Sequence, residues 1–354
     1  MRRSHFLSVV AFALILAACT GANADEATTT TTPTTTTSTT RPTTTTTEAT
    51  TTTETAPGPA SPLNGLPAED PTLLDRGVMA VKIDNHWNAR PQSGLQEADA
   101  VYELVVEAGL TRFIALFHDN DSDYLGPMRS GRPTDPTLLL PLGATFTISG
   151  AQDWVAARIV GAGVPLIGEV RPATFRIPSR RAPHNLYVDT AQLREYAAVR
   201  GYASEPPPNL FQWGEVTPAA AGAESITVSF SPETTALWEW DGEQYLRTTN
   251  GEVHEWITRD GETAPLTADT LIVLFARRYT ASPSNGSGSS VPAMETVGTG
   301  RALAFFDGGV TEGTWARDSI DQMFLLSDAD GNELTIPPGT PWISLVPDTR
   351  SVTW

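Results

Sequence analysis

Residues 28 to 55 are mostly threonine, interrupted by Pro33, Arg41, Pro42, Glu48 and Glu54, and a Pro/Gly/Ala-rich stretch continues over residues 56 to 62. Nothing in this tract carries an apolar side chain large enough for its burial to offset the entropy of fixing the backbone, about 1–2 kcal/mol per residue. It cannot join a core. It therefore divides the chain, and a fold has to be built from the residues C-terminal to it, roughly 290 of the 354. That length suits two modest domains or one elaborate one. The tract itself reads as a tether, of a composition often O-glycosylated in secreted proteins.

The tether needs something to hold it. Met1 to Ala18 opens with Arg2 and Arg3, runs through the apolar stretch Phe6 to Leu16 and ends in small residues, which is the three-part layout of a secretory signal. The apolar run falls short of the roughly 20 residues a permanent membrane span requires. Leu16-Ala17-Ala18-Cys19 resembles the bacterial lipobox, in which the cysteine is acylated and becomes the first residue once the signal is cut. Cys19 is the only cysteine, which excludes a disulfide framework and a Cys-based zinc site. The expected layout is a signal peptide over 1–18, a disordered tether over 19–60 and a folded part on the outer face of the cytoplasmic membrane, anchored through lipid on Cys19. Several acyl chains on one residue give stable attachment where one chain is marginal.

The net charge of −18 is unevenly placed. Residues 76 to 200 hold 13 basic and 13 acidic side chains, whereas residues 201 to 354 hold 7 and 21. Neither half has the basic surplus a nucleic-acid groove needs, so no nucleic acid is expected. Lys82 is the only lysine, so nearly every positive charge is a planar guanidinium suited to carboxylates and phosphates.

Short apolar runs after residue 76 set the fold class. Val78–Asp84, Ala100–Glu107 and Thr111–Phe117 read as strands, the last two as an antiparallel hairpin. Thr145–Ser149 reads as a further strand, Asp153–Val160 as a short helix, and Thr190–Arg200 as a helix capped by Thr190. Three prolines within Tyr202–Pro208 mark a boundary. Beyond it come the runs Ile226–Phe230, Leu237–Trp240, Tyr245–Thr249, Leu271–Phe275, Ala302–Phe306, Met323–Leu326 and Trp342–Val346. They are spaced by Asp241-Gly242, Asn250-Gly251, Asp260-Gly261 and Asp307-Gly308, strong hairpin signals. The expected class is α+β: an N-terminal mixed α/β domain with a central sheet over 61–201, then a mostly antiparallel β domain over 209–354. Most of the tryptophans lie from Trp213 onward, as expected for residues filling a β core.

Several strings carry a resemblance. Ile83-Asp84-Asn85-His86, Ala89-Arg90-Pro91-Gln92-Ser93-Gly94-Leu95, Tyr102-Glu103, Thr111-Arg112-Phe113, Gly126-Pro127-Met128-Arg129-Ser130-Gly131-Arg132-Pro133 and Pro183-His184-Asn185-Leu186-Tyr187 resemble the DUF3048 (YerB-like) family of bacterial lipoproteins. Met128 and Gly131 stand where the family pattern has Val and Ala. Gly313 to Trp315, Asp330-Gly331, Pro338-Gly339 and Trp342 resemble its C-terminal domain. The resemblance spans nearly everything after residue 61 and implies a two-part envelope lipoprotein without an established biochemical activity.

The residues themselves point to an anion. Arg90, Arg112, Arg129 and Arg132 lie on or beside strands, near Gly and Pro turns that let backbone N–H groups approach a ligand, and are the candidate anion-binding set. Asp84, Glu103 and Glu107 are the candidate supporting acids. The same residues also suit plain ion pairing inside a turn region. Arg176, Arg180, Arg181, His184 and Asn185 form an additional loop cluster, in which His184 is a candidate base oriented by Asp84 or Glu103. His118 to Asp123 alternates acids but lacks the Gly and Glu of a calcium loop, and reads as a polar hairpin turn. No metal spacing, phosphate-cradling loop, dinucleotide fingerprint or Ser elbow is present, so no metal or cofactor is expected. The leading reading is a non-enzymatic binding module for an anionic envelope ligand or an envelope protein. The alternative is an enzyme acting on phosphorylated envelope intermediates, with residue kinds similar to those of the LytR-CpsA-Psr phosphotransferases.

Overall fold

The computed structural model describes residues 58–202, 205–284 and 286–354; the expected signal peptide, Cys19 and the expected tether up to residue 57 lie outside the described residues, and Ala60, at the expected end of the tether, already pairs with Pro67. The first three expected strands form as β1 (Met79–Asp84), β2 (Ala100–Val105) and β3 (Thr111–Phe117). β2 and β3 pair antiparallel, and β1 joins the other side of β3 with Asp84 opposite Arg112. The short strands β4 (Thr145–Thr147) and β5 (Leu166–Ile167) extend the sheet in parallel. Among the described residues the α-helices of this half are α1 (Asp135–Leu139), α2 (Asp153–Gly161) and α3 (Thr190–Val199). The cap of α3 is Asp189, whose carboxylate accepts the Gln192 N–H, and not Thr190, whose hydroxyl donates to Asp121. The chain after β3 does not turn back on it. Residues 118 to 123 form an ion-paired loop and not the expected hairpin turn, because the next strand enters beyond β1.

The second half supplies β6 (Ser225–Ser229), β7 (Thr235–Trp240), β8 (Tyr245–Thr249), β9 (Thr270–Ala276), β10 (Gly298–Phe306), β11 (Gly309–Arg317), β12 (Leu325–Ser327), β13 (Pro341–Pro347) and β14 (Val352–Thr353). Asp307 and Gly308, at φ 51° and 65°, join β10 to β11. Two left-handed residues give the turn whose twist matches the flanking strands. The N-terminal half is thus a mixed α/β domain with a central sheet and the C-terminal half is mostly antiparallel β.

The two halves share one sheet. Its order is β12-β11-β10-β9-β13-β2-β3-β1-β4-β5, with the short strand Ala220–Ala221 also on β11. β13 lies between β9 and β2 and runs parallel to both. Both faces are covered, which is why these strands read as continuous apolar runs. Val81, Val101, Phe113, Val273 and Trp342 pack with Leu193 of α3 and with Ile226, Val228 and Trp238 of a second sheet. That sheet has the order β8-β7-β6-β14, with Glu252–Val253 on β8. The alternate residues Ala80, Tyr102, Ile114, Leu274 and Ile343 pack with Leu138 of α1 and Ile159 of α2. Trp238, Trp315 and Trp342 are buried, while Trp87 and Trp354 are exposed.

Candidate functional site

β1 ends at Asp84, and the loop over residues 85 to 91 leaves the sheet there. Its form is fixed by side-chain caps: the Asp84 carboxylate accepts the His86 N–H at 3.1 Å, and His86 Nδ1 accepts the Asn88 N–H at 3.1 Å. The Asp84 carboxylate is almost fully buried and faces two cationic or polar groups from elsewhere. His184 Nδ1 lies 2.7 Å from Oδ2, and Arg129 Nε lies 3.0 Å from the same oxygen. The Arg129 N–H is not aimed at that oxygen, so this contact is coulombic and makes no hydrogen bond. Neither terminal nitrogen of Arg129 has a protein hydrogen bond among the described residues. The His184 Nε2 is likewise unpartnered among them.

Two more guanidiniums grip the same loop. Arg90 donates from Nε and Nη2 to the Asn85 side chain and carbonyl at 3.0 and 3.1 Å, and Arg180 donates to the carbonyls of Asn88 and Pro91. Neither forms an ion pair with a carboxylate among the described residues; of the three guanidiniums only Arg129 contacts Asp84, while Glu103 and Glu252 also act on Arg90 through space. Burial and the charge of Arg247 push Arg90 down to about 10, which leaves it charged at neutral pH. The rings of His86 and His184 stack with centroids 4.8 Å apart, and Trp87, 64% exposed, lies on His86 at 3.7 Å. Burial and the neighbouring His184 hold His86 below its ordinary value.

The remaining expected residues divide by sheet face. Arg112, opposite Asp84 in the register, and Arg132 both donate to the Ser130 carbonyl, and Arg132 pairs with Glu107 at 2.7 Å. Burial and the charge of Arg132 lower Arg112 to about 10. Glu103 stands on the opposite face. There it receives a two-bond fork from Arg247 at 2.7 and 2.8 Å, the Trp342 Nε1–H at 2.9 Å and the Thr111 hydroxyl at 2.7 Å. Side-chain alternation along a strand separates Glu103 from Asp84; Glu103 has no free acceptor for a ligand-site role. Arg176 turns away to Glu169 and Asn185 at 2.5 and 2.8 Å, and the exposed Arg181 gives only its carbonyl, to the His184 N–H.

A buried relay joins the two regions, and the residues alone did not reveal it. Gln92 donates to the Asp84 carbonyl at 2.8 Å and accepts from His254 Nε2 at 2.7 Å; His254 Nδ1 accepts from Arg247 Nε and Thr249 at 3.2 and 2.8 Å. These partners place the proton of His254 on Nε2, and burial beside Arg247 holds the ring neutral. Arg247 sits over the rings of Trp342, Trp238 and Phe113 at 4.8, 5.0 and 5.5 Å. A signal was present in β8, where Arg247 shares the inward parity of Tyr245 and Thr249.

Beside Trp87 lies a cleft of about 210 Å³ bordered by Arg90, Pro91, Glu252 and Glu255. Its two carboxylates repel an anion. A larger cavity of about 460 Å³, bordered by Arg277, Arg301 and Arg350, shares no residue with this site. Among the described residues no cluster of His, Cys, Asp and Glu is arranged to hold a metal, and no helix is long and apolar enough to cross a membrane.

Comparison with known proteins covers most of the folded part. Residues 63–203 match the family model "Protein of unknown function (DUF3048) N-terminal domain", and residues 226–343 match its C-terminal domain. A relative described as "Putative lipoprotein YerB", from Bacillus subtilis (strain 168), is 29% identical over 306 residues, 83% of this chain and 88% of the relative. The crystal structure of YerB protein from Bacillus subtilis superposes with a TM-score of 0.71 at 24% identity, covering 83% of this chain and 99% of that one. This likeness shows the fold.

Proposed function

The chain belongs to the DUF3048 family, and on that premise we propose that it is a cell-envelope lipoprotein, anchored through Cys19, that binds a phosphate-bearing envelope ligand between Arg129 and His184. The lipobox and the description of the Bacillus relative support the anchor. The division into parts over 61–201 and 209–354 belongs to the same reading. The anion site rests on one observation: Arg90 and Arg180 grip the loop after β1 and Arg129 lies at its start, none but Arg129 is ion-paired, and both terminal nitrogens of Arg129 are free of protein partners among the described residues. An unpaired fork is the geometry that takes two phosphate oxygens. Glu103 and Glu107 serve the scaffold, as do Arg112 and Arg132, by holding the neighbouring loop in place. Ligand binding to the native state raises its stability by mass action. The full chain in detergent micelles should therefore melt higher with inorganic phosphate, and Arg129→Ala should lose the gain. A wild-type melting temperature indifferent to phosphate would sink the reading.

A further inference from the structure

We propose that this anion site is catalytic, with His184 as a general base that hydrolyses phosphate esters; the inference rests on the reading of Arg129 as a phosphate ligand. An imidazole becomes a positioned base when one nitrogen is fixed by a carboxylate and the other faces the reacting group. His184 meets both conditions. Its Nδ1 is 2.7 Å from the buried Asp84 carboxylate, which holds the proton on Nδ1, and its Nε2 carries a lone pair with no protein partner among the described residues. The same carboxylate holds Arg129, so base and anion ligand are set from one atom, Asp84 Oδ2. His254 differs, closing both ring nitrogens onto the protein through Thr249, Arg247 and Gln92.

The stack adds a place for the alcohol part of the ester. His86 accepts at Nδ1 from the Asn88 N–H, so its neutral ring carries a proton on Nε2 beside His184. Trp87 extends the stack into solvent and offers a flat apolar surface to a ring or an alkyl group. With the phosphoryl oxygens on the terminal nitrogens of Arg129, water attacks phosphorus while His184 Nε2 takes one of its protons. The new P–O bond forms as the ester P–O bond breaks, and its electron pair leaves on the alcohol oxygen. That oxygen collects the proton from His184 directly or through water, and the base is restored.

The test uses the full chain in detergent micelles with 4-nitrophenyl phosphate and bis(4-nitrophenyl) phosphate, whose planar leaving group suits Trp87. Release of 4-nitrophenolate is expected from at least one ester. His184→Ala should lower kcat about a hundredfold or more, and added imidazole should restore turnover in that variant, which a structural role would not allow. Asp84→Asn, which keeps the side-chain shape, should lower kcat, Trp87→Ala should raise KM, and Arg277→Ala in the distant cavity should change neither. No release from either ester, full activity in His184→Ala, or no rescue by imidazole would each overturn the inference. The phosphate melting shift separates the two readings: a shift without turnover removes catalysis and leaves binding, and neither removes both.

Discussion

Glu103 and Arg247 come from different halves of the chain, and both side chains are fully buried. Each satisfies the other's charge, and both Glu103 oxygens and the Arg247 Nε have further hydrogen-bond partners. Breaking such a pair from one side strands a charge in the core and costs about 3–5 kcal/mol, whereas replacing both partners by apolar groups is often neutral. Glu103→Ala should therefore lower the unfolding free energy by about that amount in denaturant titration, and Glu103→Leu combined with Arg247→Met should recover most of it. A smaller loss for the single variant than for the pair would contradict the account. Asp99 carries the pH dependence at this scale. Burial and the charge of Asp119 raise it to about 6, above the roughly 3.9 of an unfolded chain. The folded state then holds the proton more tightly, so the stability this group contributes is complete below about 4 and is lost as pH rises through 6. The stability difference between wild type and Asp99→Asn should shift toward the variant over that window, and a gap independent of pH would refute the assignment.

Strands were the most legible elements, for a physical reason. A sheet covered on both faces selects apolar residues at every position, so the central strands stand out from the turns around them. Thr111–Phe117 and Tyr245–Thr249 form over the residues expected from the sequence. The cap of α3 and the loop after β3 were less legible, because both depend on which distant group competes for a hydroxyl or carboxylate: Thr190 and Asp121 satisfy each other. Close approach between strands was not legible at all. Gly300 in β10 lies where an added methyl would press on the Phe275 carbonyl and the Trp315 Nε1, which hydrogen-bond each other at 2.8 Å. Gly300→Ala should cost about 1–3 kcal/mol through overpacking, read as a lowered denaturant midpoint. An unchanged midpoint would mean that the three strands separate freely there.

At the scale of the molecule, β13 is the decisive strand. It is the last long strand of the chain, yet it pairs with β2 from the first half and with β9 from the second. The two family segments therefore complete one sheet, and the described residues form one compact unit. Far-UV circular dichroism and tryptophan fluorescence should report a single coincident unfolding transition. Two separated transitions would show that the halves are independent. Composition and local pattern alone determined the β-rich texture and the presence of an arginine-studded N-terminal half, and set the expectation of a leader and tether, because these arise from side-chain chemistry within a few residues. Of the candidate site, Asp84, Arg129 and His184 were legible as residue kinds, since Gly and Pro turns announced their loops. Only the tertiary structure decided that Asp84 holds Arg129 and His184 while Glu103 is taken by Arg247. Strand register sets which face each carboxylate meets, and pairings between residues 100 or more positions apart leave no local trace in the chain.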